Sequence, residues 1–150
     1  MDTIHRTEAA SYISKGMGLP EKLTRKILQS YVEYVRRKID SKESIGVLRI
    51  CYIHIDGYSN LLETFSYVCT EISRKLEVPP TVVKGVLFYY EDMIIRDLKK
   101  YYPHNIFGLL TIKMVEGADG TPKPRIYHST LSDEKYRVQM SRTFYRKVCG

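Results

Sequence analysis

The sequence predicts an α+β fold in which a helix–helix–strand unit occurs twice. One short β-hairpin and a short C-terminal helix follow the second occurrence. Three observations predict it. Two long segments carry apolar residues at helical spacing, Leu23, Ile27, Tyr31, Val35 and Ile39 in one, Val83, Leu87, Tyr90, Ile94 and Leu98 in the other. A β-rich stretch follows each, IGVLRICYIHI and FGLLTIKMV. The two halves also match residue by residue at a constant offset: Ile13 with Ile72, Ser14 with Ser73, Lys15 with Arg74, Leu19-Pro20 with Val78-Pro79, Ile27-Leu28 with Val86-Leu87, and Tyr31 with Tyr90. Self-similarity at a fixed spacing is the mark of a repeated supersecondary unit.

The elements follow in order. TEAASYISKGMG reads as a short helix, and LPEKLTRKILQSYVEYVRRKI as a longer one with Pro20 in a position that a first turn tolerates. IGVLRICYIHI reads as a strand, with Leu48, Ile50 and Tyr52 alternating with Arg49, Cys51 and Ile53. In the second half, NLLETFSYVCTEISRKLE is a helix and VPPTVVKGVLFYYEDMIIRDLKKYY a longer one. The strand FGLLTIKMV puts Leu110, Ile112 and Met114 on one face. A three-residue insertion before it pairs Ile45-Gly46-Val47-Leu48 with Phe107-Gly108-Leu109-Leu110. Residues 106–132 then form a hairpin with a glycine-rich tip. EKYRVQM is a strand with Tyr136, Val138 and Met140 on one face, and Ser141 is placed to cap a last helix that buries Phe144 and Val148. The expected organisation is a truncated repeat over 1–57 and a complete repeat over 58–150, sharing one core. Two helix pairs lie under a small sheet.

Composition sets the function classes. The 150 residues are 43% hydrophobic and 27% charged, an ordinary globular mixture. No apolar run approaches the roughly 20 residues of a membrane helix. MDTIHRTEAA lacks the apolar stretch of a signal peptide, so an intracellular origin is expected. The net charge of +7 favours an acidic partner, and the last 38 residues are the most biased, with eight basic against four acidic side chains. Cys51, Cys69 and Cys149 have neither zinc-ligand nor disulfide-framework spacing; the first two read as reduced core residues. His5, His54, His104 and His128 lack ligand partners at metal spacing, and Glu91 and Asp92 point to different faces of their helix. No phosphate loop, nucleophile elbow or His-Glu-x-x-His helix is present. No enzyme, cofactor, metal or small-molecule substrate is expected.

Two helices, a strand with a φ-Gly-φ-φ entry, a hairpin arm, and a last strand running into a terminal helix resemble the HU/integration host factor family. IFGLLTIKM is similar to that family's Gly-Phe-Gly-x-Phe strand entry, and VQMSRTF to its apolar-Lys-x-Ser-Lys-x-apolar element. The resemblance is closest over residues 62–150. It implies a pseudo-dimer in one chain, with a helical base, a β-saddle and a single arm. The tip VEGADGTPKPR departs from the family's Arg-Asn-Pro-x-Thr-Gly, whose proline wedges between base pairs, and places Glu116 and Asp119 at the turn. Gln139 stands where the family has lysine; Arg142 keeps the basic position. A symmetric two-armed DNA clamp is therefore not expected. The chain is also similar to HU-like structural proteins of large tailed phages, the crAss-like group among them.

The resemblance leads to a non-enzymatic structural protein of a tailed-phage virion, a ring component at the neck or portal–tail region, assembled in the host cytoplasm. Its partners would be copies of itself and neighbouring virion proteins, with Tyr101, Tyr102, Tyr145, Pro122 and Pro124 as interface candidates. The alternative is a cytoplasmic nucleoid-type protein binding double-stranded DNA with low sequence specificity. For it, the candidates are Lys123, Arg125, Arg137, Arg142, Arg146 and Lys147, with Lys135, Arg137 and Gln139 on one strand face. The competing readings of these cations are a solvated face or contacts to acidic groups of a neighbouring subunit. An adaptor whose basic face docks an acidic protein is a third reading.

Overall fold

The computed structural model describes residues 2–55, 63–127 and 136–149. It is mixed α+β, in the order α1 (Asp2–Met17), α2 (Glu21–Asp40), β1 (Ile45–Val47), β2 (Cys51–Ile55), α3 (Phe65–Leu76), α4 (Pro80–Lys99), β3 (His104–Ile106), β4 (Leu110–Glu116), β5 (Pro122–Tyr127), β6 (Tyr136–Met140) and α5 (Arg142–Cys149). No helix among the described residues is long and apolar enough to cross a membrane.

Local chemistry repeats with the elements. α1 stops where Gly18 turns into the left-handed region, and the Leu19 N–H closes the end on the Ser14 carbonyl at 3.1 Å. α3 stops the same way at Glu77, with the Val78 N–H on the Ser73 carbonyl at 3.1 Å. In both, the serine hydroxyl donates to the carbonyl of the residue that follows the turn, Leu19 or Val78. Pro20 and Pro79 hold the position before α2 and α4 in extended backbone. The predicted stripes are the buried faces: Ile27, Tyr31, Val35 and Ile39 in α2, and Val83, Leu87, Tyr90, Ile94 and Leu98 in α4, with Leu23 partly buried.

The β-rich stretches fold differently from the continuous strands expected. Each is a tight hairpin. Val47 ends β1, residues 48–50 turn, and β2 returns with Ile45 opposite Ile53 and Val47 opposite Cys51. Ile106 ends β3, residues 107–109 turn, and β4 returns with His104 opposite Ile112. Leu48 and Phe107 both occupy the left-handed region, at φ 52 and 57. These turns are apolar because they are buried: Leu48, Ile50, Phe107 and Leu109 all belong to the core. Burial removes water as a partner, so side chains satisfy the turn's N–H groups. Tyr31 Oη accepts from the Leu48 N–H at 2.6 Å, and Asn105 Oδ1 from the Gly108 N–H at 2.8 Å.

The hairpins also correct the expected register. From the second helix of each half onward, elements start 59 residues after their counterparts: 21 to 80, 45 to 104, 51 to 110. The left-handed residues keep that spacing, from 18 to 77, 42 to 101 and 48 to 107. No three-residue insertion intervenes, so Gly46 corresponds to Asn105, and Gly108 to Arg49. Gly46 and Gly108 do different jobs. Gly108 supplies a φ of 74 in the turn, whereas Gly46 lies in a strand opposite Tyr52.

Instead of one small sheet there are two, each of three antiparallel strands, ordered β1-β2-β6 and β3-β4-β5. The hairpin of residues 106–132 appears in its described part as β4 and β5 joined by a glycine-containing tip; residues 128–132 lie outside the described residues. The last strand, expected to continue the second repeat, joins the first sheet. β6 pairs with β2, Tyr136 opposite Ile55 through Met140 opposite Cys51. The expected boundary at 57/58 also falls outside the described residues.

The two turns dock across the molecule. The Arg49 N–H, in the first turn, donates to Glu91 of α4 at 3.0 Å, and Arg36 of α2 donates to the Phe107 carbonyl in the second turn at 2.8 Å. The Phe107 ring packs on Tyr31 of α2 and on Tyr90 of α4, with centroids 5.6 and 5.2 Å away. One continuous apolar core results, built from both halves.

Candidate nucleic-acid interface

Antiparallel pairing sends alternate side chains of each strand to opposite faces. In the second sheet, Ile112 and Met114 pair with Ile126 and Pro124 on the core side. The outer side carries Thr111, Lys113 and Val115 on β4 against Tyr127, Arg125 and Lys123 on β5. Lys113 stands directly opposite Arg125. Cross-strand partners have Cβ atoms about 5 Å apart, where like charges cost stability. The Tyr127 ring holds both cations: Lys113 Nζ is 4.8 Å and Arg125 Cζ 5.3 Å from its centroid. Lys123 continues the row toward the tip.

The first sheet presents the corresponding face. Cys51, Ile53, Val138 and Met140 share the core side, and Tyr52 and His54 face outward opposite Gln139 and Arg137. His54 Nε2 lies 3.1 Å from Gln139 Oε1. At the 59-residue spacing His54 corresponds to Lys113, and each has an arginine as its cross-strand partner. Both sheets therefore expose a nitrogen base beside an arginine.

α5 packs Phe144 and Val148 inward, as expected, and Ser141 Oγ accepts from the Phe144 N–H at 3.3 Å. Arg142 and Arg146 are exposed on it. Lys147 is exposed as well, with Nζ 3.9 Å from Glu91 Oε2. Glu91 is 2% exposed and receives the Arg49 backbone N–H, Arg49 Nε at 3.3 Å and Arg49 Nη2. The Arg49 guanidinium also lies 3.9 Å from the Phe88 ring centroid. Glu91 is thus held in an ion pair, and Lys147 is partly committed to it.

The tip of the arm is locked by its own hydrogen bonds. Asp119 Oδ1 accepts from the Thr121 N–H at 3.0 Å, which, with Lys123 nearby, holds its carboxyl below the ordinary aspartate range. Its negative charge sits at the turn, where it repels phosphate. Of the two tip prolines, Pro122 is exposed. Pro124 is buried on the core side opposite Met114 and is withdrawn as an interface candidate.

The remaining candidates fall into place. Tyr101 and Tyr102, after α4, are 64% and 59% exposed, and Tyr145 is 37% exposed. Tyr31 and Tyr90 are buried, as the stripes required. Cys51 and Cys69 are buried free thiols, pushed by burial up to about 12 and about 11, while Cys149 is exposed. Among the described residues no group of His, Cys, Asp and Glu is placed to hold a metal. His104 is buried, donating through Nδ1 to Asp97 at 3.1 Å with Nε2 3.2 Å from Tyr90 Oη. Lys135 and His128 lie outside the described residues, and nothing is described of the His5 side chain.

Sequence reasoning missed Lys113, His54 and the aromatic partners Tyr52 and Tyr127. Only the cross-strand register puts Lys113 and Tyr127 beside Arg125 and His54 and Tyr52 beside Arg137 and Gln139. No family model, curated protein or solved structure matches this chain.

Proposed function

We propose that the chain is a non-enzymatic binder of the duplex nucleic-acid backbone, built as an HU-like duplicated unit. The observation that carries this reading is the cross-strand pair Lys113–Arg125 over Tyr127, with its counterpart His54–Arg137 on the other sheet. Two cations held face to face cost roughly 0.2–1 kcal/mol in the free protein. A phosphate placed between them turns that repulsion into two charge-assisted contacts. Contacts of this kind give affinity with little sequence preference. The tip, where Asp119 places a negative charge beside the exposed Pro122, supports binding without intercalation.

The test is the salt dependence of duplex binding. The slope of log affinity against log salt scales at about 0.9 per phosphate contact. Lys113→Ala with Arg125→Ala should lower it by about two and weaken binding equally across sequences. Wild-type protein that shows no salt-dependent retention of duplex DNA refutes the reading.

A second reading, a ring component of a tailed-phage virion, is favoured by the exposed Tyr101–Tyr102 pair after α4. It predicts self-association that Tyr101→Ser with Tyr102→Ser abolishes in sedimentation velocity. A protein that is monomeric at high concentration excludes it.

A further inference from the structure

Each sheet sets an arginine opposite a second nitrogen-bearing side chain on its outer face, and that second side chain differs between the sheets. Lys113 carries a permanent charge opposite Arg125; His54, at the corresponding position, carries a titratable one opposite Arg137. We infer that His54 makes duplex binding pH-dependent, adding a phosphate contact when protonated and withdrawing it when neutral. This inference rests on the backbone-binding reading above and assigns a regulatory role to one residue of that face.

The geometry supplies the coupling. The outer-face positions of β1, β2 and β6 within the described residues are Gly46, Tyr52, His54, Arg137 and Gln139. Arg137 is the one fixed charge among them. Asp56 and Lys135, two residues from His54 and Arg137 in sequence, lie outside the described residues. A phosphate seated against Arg137 favours a second positive charge beside it. Binding the polyanion and binding the proton therefore help one another, and such help is reciprocal. Gln139 Oε1 suits the role as an acceptor for Nε2–H, which leaves Nδ1 as the atom that gains the proton. Imidazole is the side chain whose charge changes in the physiological range. The second sheet, with lysine in the same place, binds independently of pH.

The experiment measures dissociation constants for a fluorescein-labelled duplex DNA at fixed ionic strength, between about pH 5 and about pH 8. Wild-type affinity should fall by about tenfold over that range, the change that follows from one pKa unit of coupling. His54→Gln keeps a polar side chain beside Gln139 and should give a flat profile at the wild-type high-pH affinity. His54→Lys should give a flat profile near the wild-type low-pH affinity. Arg137→Ala should weaken binding at every pH and keep a pH dependence. Thermal melts of each variant verify folding. A His54→Gln protein that retains the wild-type pH dependence overturns the inference, as does a wild-type profile that binds well and is flat. Wild-type protein that binds no duplex at any pH instead overturns the backbone-binding reading, and this inference with it.

Discussion

Removing the Arg49 guanidinium should destabilise the protein more than removing the charge it neutralises. Arg49→Met keeps an unbranched stem over the Phe88 ring and deletes only the charged head. Glu91 then stays 2% exposed, with the Arg49 backbone N–H at 3.0 Å and Lys147 at 3.9 Å as its remaining partners. Breaking a buried pair from one side costs about 3–5 kcal/mol, because the other charge is stranded. Arg49 itself is 40% exposed and two partners of Glu91 persist, so the screened cost is about 2–3 kcal/mol. At about 2–4 °C per kcal/mol for a chain of this size, Tm should fall by roughly 4–12 °C. Glu91→Gln leaves a guanidinium that can turn to water, so its cost should be smaller, about 1–2 kcal/mol. Arg49→Met combined with Glu91→Gln should lose clearly less than the two single losses added together, since neither charge is stranded and the amide oxygen still accepts the residue 49 N–H. Urea and thermal denaturation at neutral pH read all three. Additive losses in the double variant, or a Glu91→Gln loss larger than that of Arg49→Met, would refute the reasoning.

Two further outcomes follow from buried groups. Tyr31→Phe strands the Leu48 N–H, now bonded at 2.6 Å in the core, and should cost about 1–3 kcal/mol by the same denaturation assay; a neutral change would mean the turn finds another acceptor. Under native conditions a disulfide-exchange reagent should titrate Cys149 rapidly and leave Cys51 and Cys69 unreacted until denaturant is added, since burial raises both thiols far above neutrality. Rapid labelling of all three would contradict that burial.

Helices were legible because their signal is local. The stripes of α2 and α4 can be read at 3.6-residue spacing, and the terminal helix from Ser141, Phe144 and Val148. The hairpin turns were not legible. Leu48-Arg49-Ile50 holds no Gly, Pro, Asn or Asp, because Tyr31 Oη and Glu91 supply the hydrogen bonds that a solvent-exposed turn takes from water or from its own residues. Gly46 and Gly108 misled the register, as similar residues in dissimilar places, and cost the comparison three positions. The candidate site was half legible: Arg137 was picked from a strand face and Arg125 from the basic limb of the hairpin, while Lys113 and His54 needed a cross-strand register that no single strand encodes.

The cross-docked turns connect the fold to the proposed binding faces. Each hairpin turn is pinned by a helix of the other half, Arg49 on Glu91 of α4 and Phe107 under Arg36 of α2. Each outer face is therefore oriented by residues remote from it in sequence. β6 adds a second constraint, since it supplies Arg137 to the first sheet while Tyr136 Oη donates to the Ile39 carbonyl at 3.0 Å at the end of α2. Neither half buries its helical stripe alone, and the first sheet has no His54–Arg137 pair without β6 from the second half. A rigid pair of faces is what backbone recognition requires, because phosphates recur at fixed spacing and a loosely held cation loses entropy on binding. On this account Arg49 and Arg36, though neither lies at an outer-face position of its sheet, set the separation of the two faces, and their loss should weaken the duplex contacts of Lys113–Arg125 and His54–Arg137 together.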